Sequence, residues 1–150
     1  MKRNAAQHEE ACARERFAHS IAREAVECPY CGREAANVGG RLLYPYRHDL
    51  YEKRFWHCKK CQAWVGCHAG GVKPLGRLAN AALRVAKQRA HAALDPLWKS
   101  GRMDRREAYG KLASRMKLSG AECHIGMFDI ADCERVVSIA KALDTECEAE

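Results

Sequence analysis

The sequence lacks long apolar runs, internal repeats and low-complexity linkers. No stretch approaches the roughly 20 consecutive apolar residues that a helix needs to cross a bilayer, so we expect no contact with a membrane. The first residues, Met1 to Asn4, lead into charged positions rather than into the apolar core of a signal peptide. We therefore expect one compact protein in the cytoplasm.

Cysteine, by contrast, is abundant, with nine among 150 residues. The number is odd and four of the nine stand in two CxxC pairs, which favours a reducing compartment over a secreted disulfide framework. Each CxxC pair wraps a tight turn around a metal and supplies two thiolates. We predict a zinc ribbon in which Cys28, Cys31, Cys58 and Cys61 bind Zn²⁺. A four-thiolate site is coordinatively closed, so it indicates a stabilised fold rather than a reaction.

The formal net charge of +7 is unevenly distributed along the chain. Residues 73–118 contain twelve Lys and Arg against three Asp and Glu, whereas residues 119–150 contain two against eight. A basic segment favours a nucleic acid as partner, because neutralising phosphates releases counterions. A solvated helix surface, balanced by the acidic tail, is the alternative interpretation. The candidate phosphate contacts are Lys73, Arg77, Arg84, Lys87, Arg102, Arg105 and Arg106.

The hydrophobic pattern predicts an α+β protein in three parts. Residues 1–27 form an N-terminal helical extension, since residues 4–26 contain neither Pro nor Gly. Residues 28–72 form the zinc ribbon, with a hairpin turn at Gly39-Gly40. Residues 73–150 form a mainly helical part that packs on the ribbon. Its predicted elements are a helix from about Leu75 to Leu94, a turn capped by Asp95, helices from Arg105 to about Leu118 and from Asp129 to Leu143, and a frayed acidic tail over residues 145–150.

Aromatic residues are concentrated in the predicted ribbon. Small metal modules have little aliphatic core, so large rings there commonly cover the metal site and the sheet. The alternative is that one or two of them stack on unpaired bases, with basic residues around them. The rings belong to Tyr44, Tyr46, Tyr51, Phe55, Trp56 and Trp64, and the basic neighbours are Arg41, Arg47, Lys53 and Arg54.

Two Cys-His dipeptides could form a second metal site. Cys67-His68 and Cys123-His124 each offer a soft sulfur and an imidazole, and together they would tie the ribbon to the helices. Cys67 could alternatively replace Cys61 in the first site, or both cysteines could be buried and both histidines satisfied by hydrogen bonds.

His91 and Asp95 lie one helical turn apart and can meet on one face. With His68 and His124 they could build an open zinc site that activates water for phosphodiester cleavage. The other interpretation makes Asp95 a helix cap. His68, His91 and Asp95 are therefore weak catalytic candidates, and we expect a binding protein more than an enzyme.

Several longer blocks resemble those of a family of small phage and prophage proteins, described as zinc-finger-containing and of unknown function. The blocks extend over most of residues 28–137. The resemblance implies a zinc-bound phage protein and brings no activity with it. The residues that carry it are Cys28-Pro29-Tyr30-Cys31-Gly32, Phe55-Trp56-His57-Cys58, Cys61, Val65-Gly66-Cys67-His68, Lys73-Pro74-Leu75-Gly76-Arg77-Leu78-Ala79-Asn80, His91, Asp95-Pro96-Leu97-Trp98-Lys99 and Cys123-His124-Ile125-Gly126-Met127-Phe128.

Three functional hypotheses follow from these patterns. The first is a nucleic-acid-binding accessory protein with structural zinc, in which the basic helices contact phosphates. The second is a phage protein that binds and inhibits a host enzyme or defence complex, with its acidic tail mimicking nucleic acid. The third is a metal-dependent nuclease built on the histidine candidates. The closed zinc site and the basic segment favour the first.

Overall fold

The computed structural model describes residues 25–149. They form a three-stranded antiparallel sheet of order β1-β2-β3 beside a group of helices, which confirms the α+β class. The predicted N-terminal helix lies outside the described residues, apart from Ala25 and Val26, which are not helical. No helix within residues 25–149 is long and apolar enough to cross a membrane. The strands are β1 (Ala36–Gly39), β2 (Arg54–Cys58) and β3 (Ala63–Gly66), and the helices are α1 (Gly40–Leu43), α2 (Ala81–Lys99), α3 (Arg105–Met116) and α4 (Ile130–Glu148).

The central strand β2 gives the sheet two distinct faces, because alternate side chains point to opposite sides. Trp56 and Cys58 lie on the metal face and pack with Cys28, Ala63 and Leu78 in one buried cluster. His57 lies on the other face, opposite Ala36 of β1 and Trp64 of β3. We call this second side the histidine face.

The predicted hairpin at Gly39-Gly40 is wrong, because β1 passes directly into the single helical turn of α1 and pairs with β2 instead. A Cβ atom added to Gly40 would lie 1.8 Å from the carbonyl oxygen of Leu50 and 3.1 Å from the ring of Phe55. This glycine therefore allows a close approach of the loop to the sheet rather than a two-residue turn.

Helix α2 begins at Ala81, six residues later than the pattern predicts. The side-chain oxygen of Asn80 accepts a hydrogen bond from the N–H of Leu83 at 3.0 Å, which caps the helix. The backbone N–H of Asn80 donates in turn to the Tyr30 hydroxyl, in the first CxxC turn, at 3.2 Å. Leu78, expected on the helix, instead packs on the metal face.

The same helix continues through Pro96 to Lys99, so the prediction of Asp95 as a cap is wrong. Pro96 has no N–H to donate to the preceding turn. Leu94 and Leu97, on either side of it, are both fully buried in the helical core. Their burial outweighs the missing hydrogen bond, since each buried leucine contributes roughly 1.5–3 kcal/mol. The separate turn expected after Asp95 is therefore part of α2.

Helices α2 and α4 pack against each other through Ala86, Ala90, Val136 and Ala140, among other buried residues. Small side chains at this interface allow the two helices to approach closely. Helix α4 continues to Glu148. The prediction of a frayed tail is therefore wrong for residues 145–148, which are helical. Ion pairs join the end of α4 to the preceding basic segment, between Arg102 and Asp144 and between Arg115 and Glu146.

The backbone carbonyl of Gly126 connects the segment that follows the ribbon to the helical part. The oxygen of Gly126 accepts hydrogen bonds from the N–H of Arg77 at 3.0 Å and from Nζ of Lys87 at 2.6 Å. A Cβ atom added to Gly76 would lie 2.3 Å from this oxygen. The close contact therefore requires a glycine at position 76. The division of the chain at residue 72 stays a prediction.

We expect Gly76→Ala to lower the free energy of unfolding by about 1–3 kcal/mol, because the added methyl group forces the two backbones apart. Gly71→Ala is the matched control, since a Cβ atom there meets nothing within 4 Å, and we expect a change of less than about 0.5 kcal/mol. Urea unfolding followed by circular dichroism measures both. Equal stability of the two variants would contradict the close contact.

Candidate metal centre and ligand clefts

The two CxxC pairs stand on turns of the same construction. In the first, the N–H of Gly32 donates to the carbonyl of Cys28 at 2.9 Å, and Gly32 has a φ of 69°. In the second, the residue after Cys61 is Gln62, with a φ of 49°. The left-handed conformation turns the chain back after the second cysteine of each pair. Because β2 ends at Cys58, the sheet itself positions the second turn.

The four sulfur atoms of Cys28, Cys31, Cys58 and Cys61 all lie within 4.8 Å of one another. Those of Cys31 and Cys58 are 3.7 Å apart. A tetrahedral zinc ion with Zn–S bonds of about 2.3 Å separates its ligands by about 3.8 Å. The donor set and its spacing therefore fit zinc.

The electrostatics of the cluster show what four thiolates would require at this site. Burial raises the pKa of Cys28, and burial together with the neighbouring thiols raises the pKa of Cys61 to about 12. Only Cys58 moves the other way: the backbone N–H of Cys61 lowers its pKa to about 7, against the effect of burial. Four thiolates at this spacing need a positive charge among them, which a divalent metal supplies.

The structure does not assemble the second metal site expected from Cys67, His68, Cys123 and His124. Cys67 packs in the cluster of the metal face, 3.7 Å from the side-chain nitrogen of Asn37, while Cys123 is buried in the helical core. Within residues 25–149, the four ribbon cysteines are the only group of three or more potential ligands that is close enough to share an ion. Cys123 is buried and Cys67 is half-buried, and the two belong to different clusters.

A cleft of about 800 Å³ nevertheless brings together several of the predicted site residues. We call it the junction cleft. Among the described residues no Asp or Glu lines it, so its charged side chains are all basic. Its polar lining consists of His68, His91, His124, Arg105, Arg106 and Tyr109.

In two of these histidines, His91 and His124, Nδ1 contacts a polar group of the protein. Nδ1 of His124 accepts a hydrogen bond from the N–H of Gly126 at 3.1 Å, so the ring proton of a neutral His124 is on Nε2, which then acts as a donor. Nδ1 of His91 lies 3.5 Å from Asp95, which pairs more closely with Lys99 at 2.8 Å. Burial raises the pKa of Asp95, but its bonds to Lys99 and His91 outweigh burial and lower it overall.

Two of the predicted phosphate contacts, Arg84 and Lys87, are engaged within the protein, and a third, Arg77, is half-buried. The guanidinium of Arg84 lies 3.5 Å from the ring centroid of Trp64 and donates to the carbonyl of Ala79. Lys87 donates to Gly126, and Arg77 has a buried Nε without a hydrogen-bond partner. Burial lowers the pKa of both Arg84 and Lys87.

The other predicted phosphate contacts lie at the surface. Lys73, Arg105 and Arg106 are exposed, while Arg102 pairs with Asp144. Phosphate binding by any of these side chains stays a prediction.

A second cleft, of about 620 Å³, lies on the histidine face and was not anticipated from the sequence. We call it the sheet cleft. His57 lines it and is only 8% exposed, and its Nε2 has no hydrogen-bond partner. Burial first, and then the charge of Lys59, lowers the pKa of His57. The remaining lining residues include Val38, Leu42, Leu43 and Trp64, with Arg33, Glu34, Lys59 and Lys60 as the charged ones.

The sequence does contain a signal for this cleft. Cys58 must point to the metal, so its neighbour His57 must point to the opposite face of the strand. Two lysines then separate Cys58 from Cys61 and place positive charge beside that face.

Comparison with known proteins supports the metal centre. Residues 24–143 match the family model of a zinc-finger-containing domain, and this range includes all four ribbon cysteines. No curated protein and no solved structure matches the chain.

Native mass spectrometry should find one zinc ion per chain. We expect Cys58→Ser to lose the ion and much of its stability, because the remaining three thiolates leave the site incomplete. The double variant Cys123→Ala/His124→Ala should keep one zinc. Two ions in the unmodified protein, falling to one in the double variant, would contradict the single-site interpretation.

Proposed function

The chain belongs to the zinc-finger-containing domain family, and we propose that it is a zinc-stabilised protein that binds DNA or RNA. Cys28, Cys31, Cys58 and Cys61 would hold the ion, whose role is to cross-link the ribbon, because sulfur fills all four positions. The observation that carries the binding proposal is the junction cleft, which presents two arginines and three histidines without a carboxylate. Such a lining matches the phosphate backbone, which supplies most sequence-independent affinity.

The two arginines are available for a ligand. Arg105 lies over the rings of Tyr109 and Trp98, with its guanidinium carbon 4.9 Å and 5.7 Å from their centroids. Stacking of this kind orients the guanidinium without neutralising its charge. Arg106 is exposed and makes no ion pair among the described residues. The Nε2 donor of His124 adds a neutral hydrogen bond to the same cleft.

The competing hypothesis, that the acidic end of the chain mimics nucleic acid, needs carboxylates that are free to bind a partner. Asp144 and Glu146 are paired with Arg102 and Arg115, so part of its negative charge is already balanced. An inhibitor of a host enzyme would need another surface. The phage origin and the host cytoplasm as location are part of the proposal and rest on the family resemblance alone.

The nuclease hypothesis lacks a ligand set. His68 and His91 do line one cleft, but no group of potential ligands within residues 25–149, apart from the ribbon cysteines, has the spacing for a metal. Binding without cleavage is the function that the geometry supports best.

Fluorescence anisotropy with a labelled 20-nucleotide strand, DNA and RNA in turn, tests the proposal over a range of salt concentrations. We expect binding that weakens steeply with salt, and a slope of log K against log salt that is smaller by about 1.4 in Arg105→Ala/Arg106→Ala, since each phosphate contact to a single strand contributes about 0.7.

The matched control is Arg89→Ala/Lys141→Ala, which removes two exposed charges that line neither cleft and should keep the original slope. The proposal fails if the zinc-loaded protein shows no salt-dependent binding, or if both double variants lose the same slope. Strand breakage during the incubation would instead support the nuclease hypothesis.

A further inference from the structure

The sheet cleft combines an apolar interior with a basic margin. Val38, Leu42 and Leu43 supply aliphatic surface, and Leu42 is 66% exposed. The volume of about 620 Å³ is within the range of small-molecule sites. An apolar cleft of this size suits a flat ring system rather than a bare anion.

His57 is the polar group inside this cleft. Its side chain is buried on the histidine face, and Nε2 is cut off from solvent without a hydrogen-bond partner. A buried polar atom without a partner is costly, and a rotation of the imidazole that brought this nitrogen to a ligand edge would remove the cost. A heterocycle with donors and acceptors on its rim meets that requirement, whereas a purely aliphatic ligand does not.

The positive charge at the margin of the sheet cleft favours a ligand whose ring is attached to an anionic group. Arg33, Lys59 and Lys60 line the cleft against one acid, Glu34. All three basic side chains are exposed, and none makes an ion pair among the described residues. A ring attached to phosphates on either side complements this arrangement.

We propose that the sheet cleft binds an unpaired nucleobase of a single-stranded nucleic acid, with His57 at the base edge and Lys59, Lys60 and Arg33 at the flanking phosphates. The inference rests on the proposed function and adds its substrate class. A base within a duplex is stacked and paired on its edge, so it cannot enter without being extruded. Single strands are therefore the favoured ligand.

Trp64 forms a wall of the cleft rather than a stacking platform. Its ring carries the guanidinium of Arg84 at 3.5 Å, and its Nε1 donates to the Tyr44 hydroxyl at 2.9 Å. The base would instead lie against the aliphatic side chains. Leu42 and His57 are thus the residues on which base binding depends.

Two strands of equal charge separate base contacts from phosphate contacts. The first is a labelled 12-nucleotide single-stranded DNA, and the second is the same backbone with abasic sites throughout. We expect the zinc-loaded protein to bind the first about tenfold more tightly, the effect of one well-held base. Leu42→Ser and His57→Phe should reduce this ratio towards one and leave the affinity for the abasic strand unchanged.

Val85→Ser is the matched control, because Val85 is an exposed apolar side chain, like Leu42, and lines neither cleft. Its ratio should stay near ten. Since His57 is next to Cys58, zinc content is measured for His57→Phe, while Leu42→Ser changes only a surface side chain and carries the test if His57→Phe loses the ion.

Equal affinity of the unmodified protein for both strands would overturn the inference and leave the proposed function intact. A ratio near ten that persists in both cleft variants would also overturn it, because the base would then bind elsewhere. If neither strand binds, the proposed function fails and the inference fails with it.

Discussion

Four thiol groups within 4.8 Å of one another set the constraint on which the ribbon depends. Burial raises the pKa of Cys28 and Cys61, so the cluster cannot carry four negative charges unless a cation balances them. The strand that ends in Cys58 also carries His57 on its other side, and Lys59 and Lys60 stand within the second turn. The metal site and the sheet cleft therefore share Cys58 and are built on the same strand and turn.

The junction cleft depends on a different contact, the backbone carbonyl of Gly126. This oxygen receives the N–H of Arg77 and the ammonium of Lys87, and the neighbouring N–H of Gly126 fixes the ring of His124. The charged side chain of Lys87 is thus engaged in a contact within the helical part, whereas Arg77 contributes only its backbone N–H. The cations that line the junction cleft, Arg105 and Arg106, lie on the first turn of α3.

The sequence predicts the four-cysteine cluster and the α+β class well, because CxxC spacing and helical periodicity are local properties. Predictions from the sequence are wrong where contacts between residues far apart in the chain determine the structure. Leu75 and Leu78 have helical spacing, but Leu78 packs on the ribbon. Helix α2 therefore begins only after its cap at Asn80. Burial of Leu94 and Leu97 carries the helix through Pro96. Likewise, nothing local shows that Arg84 and Lys87 are engaged, since they contact the distant residues Trp64 and Gly126.

The hydrogen bond from Asn80 to the Tyr30 hydroxyl links the first cysteine turn to the cap of α2. If that turn opens when its ion departs, Asn80 loses one of its anchors, and the first turn of the helix is free to fray while Leu94 and Leu97 keep the rest in place. Amide protons at the start of α2 would then exchange with solvent at a rate governed by metal dissociation, not by global unfolding. The lifetime of the metal complex would thereby set the rate of local opening where the ribbon meets the helices.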